Sequence, residues 1–376
     1  MSFHANRPAQ GWLGPQPLVS PAERARGVRN LIVDAAAATA VGALNSGVVL
    51  LALALHIGAS TLQVGLLAAV PLITQVLQAP TVALVEKLRQ RRLIAVAALF
   101  VARLALPVYA AVPFIADRDT AVAVLLAAAL VHYGLNAVAA CSWNSWIKDL
   151  VPGETLGRFA STRGMVGTAV SAAATLAAAF ALNQVNGDER LGDLVFAGLY
   201  LFGFLCGMVS TVALARVPEP RMPPREQAVP LRRALWQPLE DRNYRSLLRY
   251  LASWQFAVNL ATPFFTVYIV RELGFDISFV LLLTLASQVA NIAVVRGWGQ
   301  LSDRFTNKTV LSAATPLYIL CLVGMAFAGE LTGETARGAY LFLLHIVMGA
   351  AGAGVGIASS NIVFRLSPEG SATSYM

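Results

Sequence analysis

Residues 297–311 read GWGQLSDRFTNKTVL, and this stretch decides how the rest of the chain is interpreted. It separates two long apolar segments, yet it contains the charged side chains of Asp303, Arg304 and Lys308. Because such charges are costly inside hydrocarbon, the stretch is predicted to be a short polar connection at a membrane surface. Two membrane-spanning helices are therefore expected to meet here in a tight hairpin.

The glycine and the charged residues of this stretch resemble the signature loop of the major facilitator superfamily, written G-x-L-x-D-R-x-G-R-K. The matching positions are Gly299, Leu301, Asp303, Arg304 and Lys308. The chain departs from the pattern at Thr306 and Asn307, where the family has glycine and arginine. The resemblance implies an all-α membrane bundle of two pseudo-symmetric halves, each built on a six-helix unit.

A copy of the stretch lies one half-molecule earlier, as a duplicated unit requires. An offset of 217 residues, the separation of Leu84 from Leu301, superposes the two copies. It pairs charged or related polar positions, namely Glu86 with Asp303, Lys87 with Arg304, Arg91 with Lys308, and also Ser142 with Ser359 and Asn144 with Asn361. One offset that superposes two separated features supports an internal repeat.

The composition places the chain in a membrane. Hydrophobic residues make up 57% and charged residues 13%, against roughly 45–50% and about 25% in soluble domains. The first thirty residues contain no apolar run typical of a signal peptide, so the N-terminus is expected to stay in the cytoplasm. The three cysteines fall in apolar segments and indicate neither disulfides nor metal ligands.

About ten apolar segments are long enough to cross the bilayer. They lie near 31–55, 61–85, 93–114, 120–147, 159–183, 193–216, 247–271, 278–301, 310–329 and 338–364. The predicted domains are a cytoplasmic segment (1–30), a six-helix half (31–216), a cytoplasmic linker (217–246) and an incomplete four-helix half (247–376). Met376 pairs with Phe159 under the offset, so counterparts of the fifth and sixth spans are expected to be absent.

The distribution of charge predicts the orientation. Most of the 28 Lys and Arg residues lie in segments on the side of the N-terminus, while the opposite loops are mainly acidic. This asymmetry follows the positive-inside rule and suits a bacterial cytoplasmic (inner) membrane. The predicted partners are a small-molecule solute and the lipid bilayer, with a second chain that supplies the missing helices as a further alternative. The basic charge therefore reflects topology, and no nucleic-acid partner is predicted.

Polar side chains recur at mid-depth in the helices that line the transport cavity of the family. The predicted substrate-binding residues are Asn45, His132, Tyr133, Asn136, Trp254, Gln255 and Asn259. Several hydrogen-bonding groups at one depth are what a polar solute needs. The alternative is that each asparagine bonds a neighbouring helix as part of packing. His132 is either a proton-coupling group or a satisfied core histidine.

Two charges lie inside the first half. Arg103 is at the middle of the third span with no carboxylate at matching depth, so it meets either an anionic substrate or backbone carbonyls. Asp34 lies one turn from the end of the first span, where pairing with Arg29 or Arg163 is favoured over a proton-relay role. His345 is expected to be a core residue.

The resemblance also implies a contact between the halves. The signature loop of the family packs its acidic residue near the start of a helix from the opposite half, where the helix dipole favours negative charge. Asp303 is therefore expected against residues 156–162, with Arg158 or Arg163 adding a salt bridge. The first-half copy, Glu86, has no such partner in this sequence.

No phosphate-binding loop, metal-ligand cluster or Ser-His-Asp arrangement is apparent, so neither a cofactor nor an enzymatic activity is predicted. The sequence predicts a secondary transporter that moves a small solute by alternating access. The rival interpretation is a non-transporting protein on the same fold, such as an assembly factor, a receptor or an inactive remnant.

Overall fold

The structure is a computed structural model that describes residues 14–45, 47–185, 187–222 and 240–366. Within those ranges, the side chains of Lys148, Asp303, Ser360 and residues 153–158, 160, 161 and 363–366 are not described. The described part of the chain is helical almost throughout, and its only β-pairing is an isolated bridge between Gln16 and Pro220.

Thirteen α-helices follow one another along the described ranges. They are α1 (Pro21–Asn45), α2 (Gly47–His56), α3 (Thr61–Ile73), α4 (Gln78–Leu88), α5 (Arg91–Arg103), α6 (Ala105–Ala111), α7 (Arg118–Leu150), α8 (Gly153–Asn183), α9 (Glu189–Ala215), α10 (Arg242–Val267), α11 (Ile277–Arg304), α12 (Asn307–Ala326) and α13 (Glu334–Leu366). The predicted all-α class is confirmed.

Each predicted span coincides with one of these helices or with a consecutive pair. Within the described ranges, nine stretches are long and apolar enough to cross a membrane. The predicted span 247–271 corresponds to α10 but is not among the nine. The reason is chemical, because Trp254, Gln255 and Asn259 lower the apolar content in the middle of this helix.

The 297–311 stretch is more helical than the sequence indicated. Helix α11 continues through Gly299 to Arg304, and α12 begins at Asn307, so the connection consists of Phe305 and Thr306 alone. The polar connection between the two helices is therefore shorter than the sequence predicted. Thr306 has φ −161°, which is extended backbone, and this turn therefore does not require the family's glycine.

Prolines account for breaks inside the spans. Pro107 cannot donate a hydrogen bond to the carbonyl of Arg103, and α5 ends at that residue before α6 begins. Pro71 precedes a 3₁₀ turn at Thr74–Leu77. The Thr74 hydroxyl donates to the carbonyl of Val70, one turn earlier, at 2.8 Å.

The chain forms two compact units. The first contains residues 1–46, 69–171 and 196–226, and the second contains 47–68, 172–195 and 227–376. The first has an apolar core around Trp146, Leu150 and Leu214, where α1, α5, α7 and α9 meet. The second has a core around Ile269, Leu283 and Met325. These units are defined by contacts, and the predicted division into sequence halves stays a prediction.

Candidate functional site

The first span contains a buried polar side chain close to a residue with left-handed backbone. Helix α1 ends at Asn45 and α2 begins at Gly47, whose φ of +56° lies in the left-handed region. Asn45 is only 1% exposed, and neither its amide nitrogen nor its amide oxygen has a hydrogen-bond partner in the part of the chain that the structure describes. Solute sites of transporters lie near the bilayer midplane, where buried polar side chains mark the pathway.

Helix α7 brings its predicted site residues to the same place. The Tyr133 hydroxyl donates to the Asn45 carbonyl at 3.5 Å, and the Tyr133 ring packs edge-on against His132 with centroids 5.1 Å apart. Because these contacts join the fourth span to the first, Asn45, His132 and Tyr133 form one cluster. Asn136 donates through its side-chain nitrogen to the His132 carbonyl on its own helix at 2.7 Å, and not to a neighbouring helix as the packing alternative supposed.

His132 is held as a core residue. Its Nδ1 lies 2.9 Å from the Ala102 carbonyl, and the side chain is buried. This carbonyl lies at the end of α5, so the contact ties α7 to the break in the third span. His345 behaves similarly, since its Nδ1 lies 2.8 Å from the Leu341 carbonyl one turn earlier.

The two predicted internal charges, Asp34 and Arg103, interact with each other, and Asp34 also interacts with Arg163, one of its two expected partners. The Asp34 carboxylate accepts a hydrogen bond from the Ser210 hydroxyl at 2.7 Å and interacts electrostatically with both Arg163 and Arg103. Arg163 is also placed 4.5 Å from the centre of the Trp143 ring. Arg103 interacts electrostatically with Asp34 although the two residues differ in depth, since a long side chain reaches beyond the depth of its own Cα. Its role toward a substrate stays a prediction.

Sequence reasoning missed three residues of this interior. Tyr109 and Tyr200 are completely buried and pack edge-on with centroids 5.3 Å apart. Ser210, the hydrogen-bond donor to Asp34, is equally buried. A signal was present in the sequence, since Tyr200, Gly203, Gly207 and Ser210 recur at helical spacing on one face of α9.

The candidates on α10 belong to the second unit. Trp254 packs edge-on against Tyr318 with centroids 4.9 Å apart, and Gln255 is exposed. The Asn259 side chain donates to the Gln255 carbonyl at 2.8 Å. Pro263 leaves the carbonyl of Asn259 without its usual helical donor, which adds an acceptor at this level. A cavity shared by Asn45, Asn136 and Asn259 stays a prediction.

Hydrogen bonds between uncharged side chains of the second unit stabilise the 297–311 stretch. The Ser302 hydroxyl donates to the Asn307 side-chain oxygen, which also accepts from Asn361 at 3.3 Å. Thr306 caps α12 by accepting from the Thr309 backbone N–H at 3.1 Å. Arg304 and Lys308 are exposed. The position that carries arginine in the family is thus occupied by a buried asparagine that completes a hydrogen-bonded cluster.

The expected contact of Asp303 with the start of α8 falls on side chains that are not described, Asp303 and Arg158 among them. That contact stays a prediction.

The first-half copy of the loop contains a network of buried charged side chains. Arg91 and Arg92 begin α5, and the wholly buried Glu219 accepts both of their backbone N–H groups, at 2.8 and 3.1 Å. The Arg91 guanidinium also contacts Glu219 at 3.3 Å and Asp149 at 2.5 Å. Trp146 donates to the Pro218 carbonyl at 2.9 Å. Residues 217–220, which the sequence assigned to the linker, thus pack into the first unit.

A sequence-family comparison identifies the chain. Residues 32–376 match the model of the Major Facilitator Superfamily. The chain belongs to this superfamily. It is a secondary membrane transporter, and family membership does not favour the rival interpretation of a non-transporting protein. Members of this superfamily are transporters rather than enzymes. A comparison with curated protein sequences found no match.

Solved structures share the fold at low identity. A bacterial homologue of the human lysosomal transporter Spinster, inward-facing and unoccupied, has 16% identity and TM-score 0.65, covering 95% of this chain and 78% of the other. The nucleoside transporter NupG has 13% identity and TM-score 0.61, covering 94% and 85%. The D-xylose-proton symporter has 15% identity and TM-score 0.60, covering 94% and 84%. At these identities the likeness shows the fold alone.

Proposed function

We propose that this transporter carries a small, uncharged polar solute with hydroxyl or amide groups, and that Asn45, Tyr133 and Asn136 bind it. The buried, unpartnered amide of Asn45 is the observation that carries the proposal. A buried polar group left without a partner costs about 1–3 kcal/mol. A solute that donates to the amide oxygen and accepts from the amide nitrogen would recover this free energy while bound.

The chemistry of the cluster favours a neutral solute over an ion. Its described hydrogen-bonding groups are an amide, a phenol and a second amide, which recognise hydroxyl or amide groups directionally. Within the described residues, no group of three or more His, Cys, Asp or Glu side chains is arranged to hold a metal ion. Two structural relatives are named for a nucleoside and for D-xylose, solutes of the same hydroxyl-rich class.

The test is solute uptake by the purified chain in proteoliposomes. A panel of radiolabelled sugars, nucleosides and small amides is offered under an imposed proton or sodium gradient. We expect Asn45→Ala to reduce uptake at least about tenfold, the effect of losing one or two good hydrogen bonds. The matched control is Asn243→Ala, since Asn243 is exposed at the start of α10. Uptake by Asn45→Ala within twofold of wild type, or uptake of charged solutes only, would contradict the proposal.

We also propose that the chain resides in a bacterial cytoplasmic membrane with its N-terminus and its 217–246 linker in the cytoplasm. The support is the concentration of Lys and Arg in those segments and in the Lys87–Arg92 region. In a variant without the native cysteines Cys141, Cys206 and Cys321, a cysteine introduced at Ala228 should resist an impermeant thiol reagent applied to intact cells. Labelling from outside would reverse the orientation.

A further inference from the structure

One face of α9 carries four residues that are small or polar. Tyr200, Gly203, Gly207 and Ser210 are spaced by three, four and three positions, so they lie on one stripe of the helix. From Tyr200 to Ser210 the stripe is about 15 Å long, given a rise of about 1.5 Å per residue. It runs through the interior of the first unit, since both of its end residues are wholly buried.

Each residue of this α9 stripe faces a polar side chain from another span. Tyr200 packs against Tyr109, and Ser210 donates to Asp34. A Cβ atom at Gly203 would lie 3.5 Å from the Asn45 side-chain oxygen. A Cβ atom at Gly207 would lie only 2.6 Å from Cδ of Arg103, so the arginine lies directly on the helix backbone. The two glycines thus make room for an amide and a guanidinium inside the bundle.

Several of these polar groups have no partner. In the part of the chain that the structure describes, Nε of Arg103 and the hydroxyls of Tyr109 and Tyr200 are buried without a hydrogen bond. These three side chains are between 0% and 4% exposed. Leaving all of these groups unpaired would strongly destabilise the folded chain, because each buried polar group gives up its hydrogen bonds to water on folding.

We propose that the α9 stripe binds a cluster of ordered water molecules that hydrates Arg103 inside the membrane. A buried water needs two to four polar partners, and the stripe offers two phenol groups and a guanidinium group along its length. An inorganic anion is a poorer occupant, because Asp34 is close enough to Arg103 to interact with it electrostatically and its carboxylate would repel the anion. Hydration of this kind lowers the cost of a full positive charge at mid-membrane depth.

The proposal concerns water and does not depend on which solute is transported. The test is X-ray radiolytic footprinting of the full chain in lipid nanodiscs, read by mass spectrometry. Radicals formed from bound water oxidise adjacent side chains, and a scavenger in the buffer removes radicals formed in bulk solvent.

Trp146 serves as the internal control. It is as buried as Tyr109 and Tyr200, but its ring N–H already donates to Pro218 and it lies in an apolar cluster. With scavenger present, we expect both tyrosines to be oxidised at least about tenfold faster than Trp146, since only they adjoin bound water. Tyrosine labelling no faster than that of Trp146, or labelling abolished by the scavenger, overturns the proposal.

A matched pair of glycine variants locates the water. Gly207→Ala places a methyl group against Arg103, whereas Gly198→Ala on the same helix meets nothing within 4 Å. We expect Gly207→Ala to slow Tyr200 labelling at least about threefold and Gly198→Ala to leave it within about twofold, because only the former occupies the stripe. Equal labelling in the two variants contradicts the location. If Gly207→Ala fails to fold, the wild-type comparison with Trp146 decides alone.

Discussion

Replacing Glu219 by glutamine removes one negative charge from the centre of a buried network while nearly preserving the shape of the side chain. In the native protein, one carboxylate oxygen accepts the backbone N–H of Arg91 at 2.8 Å and its Nε at 3.3 Å. The other oxygen accepts the backbone N–H of Arg92 at 3.1 Å. Glutamine keeps a single acceptor oxygen, so its NH₂ group must face one of these donors.

The magnitude follows from burial. Glu219 is 0% exposed and the Arg91 side chain is 1% exposed, so removing the carboxylate leaves a desolvated guanidinium with less compensation. Breaking a buried pair in this way costs about 3–5 kcal/mol. Asp149 still contacts Arg91, which favours the lower end, about 3 kcal/mol. The Asp149 side chain is 36% exposed, so solvent screens its ion pair with Arg91. Asp149→Asn should therefore cost about 1 kcal/mol or less.

The assay is the free energy of unfolding, obtained by titrating the purified protein in mixed micelles with a denaturing detergent. The diagnostic quantity is the difference between the two variants, because both remove a negative charge that contacts Arg91. Glu219→Gln should be clearly more destabilising than Asp149→Asn, by about 2 kcal/mol. If the two variants unfold alike, the buried carboxylate does not organise this end of the first unit.

Two further predictions concern a helix cap and a helix contact. The Asp117 carboxylate caps α7 by accepting from the Thr120 hydroxyl and backbone N–H, and these bonds lower the pKa of Asp117. The cap therefore stabilises the protein fully above the unfolded pKa of about 3.9, and this stability is lost as the pH falls through the lower pKa of Asp117 in the folded protein. Asp117→Asn should reduce the decline of the melting temperature with falling pH, measured over a series of acidic buffers. A Cβ at Gly349 would lie 2.0 Å from the Ser287 carbonyl oxygen, whereas one at Gly356 meets nothing within 4 Å. In the detergent titration, Gly349→Ala should destabilise the protein by about 3 kcal/mol or more, as severe overpacking does. Gly356→Ala should cost under about 1 kcal/mol. Equal effects of the two variants would contradict the close packing of Gly349 on Ser287.

The helices could be predicted from sequence because a bilayer leaves little choice. About twenty apolar residues bounded by charge or turn residues can span hydrocarbon only as a helix. The boundary at 297–311 was less exact, since Asp303 and Arg304 end a helix that extends beyond the apolar run. Polar residues within the last turn can reach the membrane surface, so hydropathy alone does not fix where a helix stops.

The interior of the first unit was only partly predictable. Counting depth along the helices placed Asn45 and Tyr133 at similar levels, and the structure brings them into contact. Depth says nothing about which faces meet, so the partnership of Asp34 with Ser210 was not foreseen. Glu219 was missed for a different reason. It lies in a segment rich in proline and arginine, a composition typical of solvated linkers, and only tertiary packing reveals that it is buried.

The two-residue turn at Phe305 and Thr306 bears on how this protein could be engineered. Substituting the most frequent family residue often stabilises a protein, and here that rule would introduce Thr306→Gly. The backbone at this position is extended, so glycine brings no relief of strain. It would instead remove the hydroxyl that accepts from Thr309 and would increase the entropy of the unfolded chain. Consensus design would therefore weaken this hairpin, by about 1 kcal/mol on typical values for a cap and a glycine.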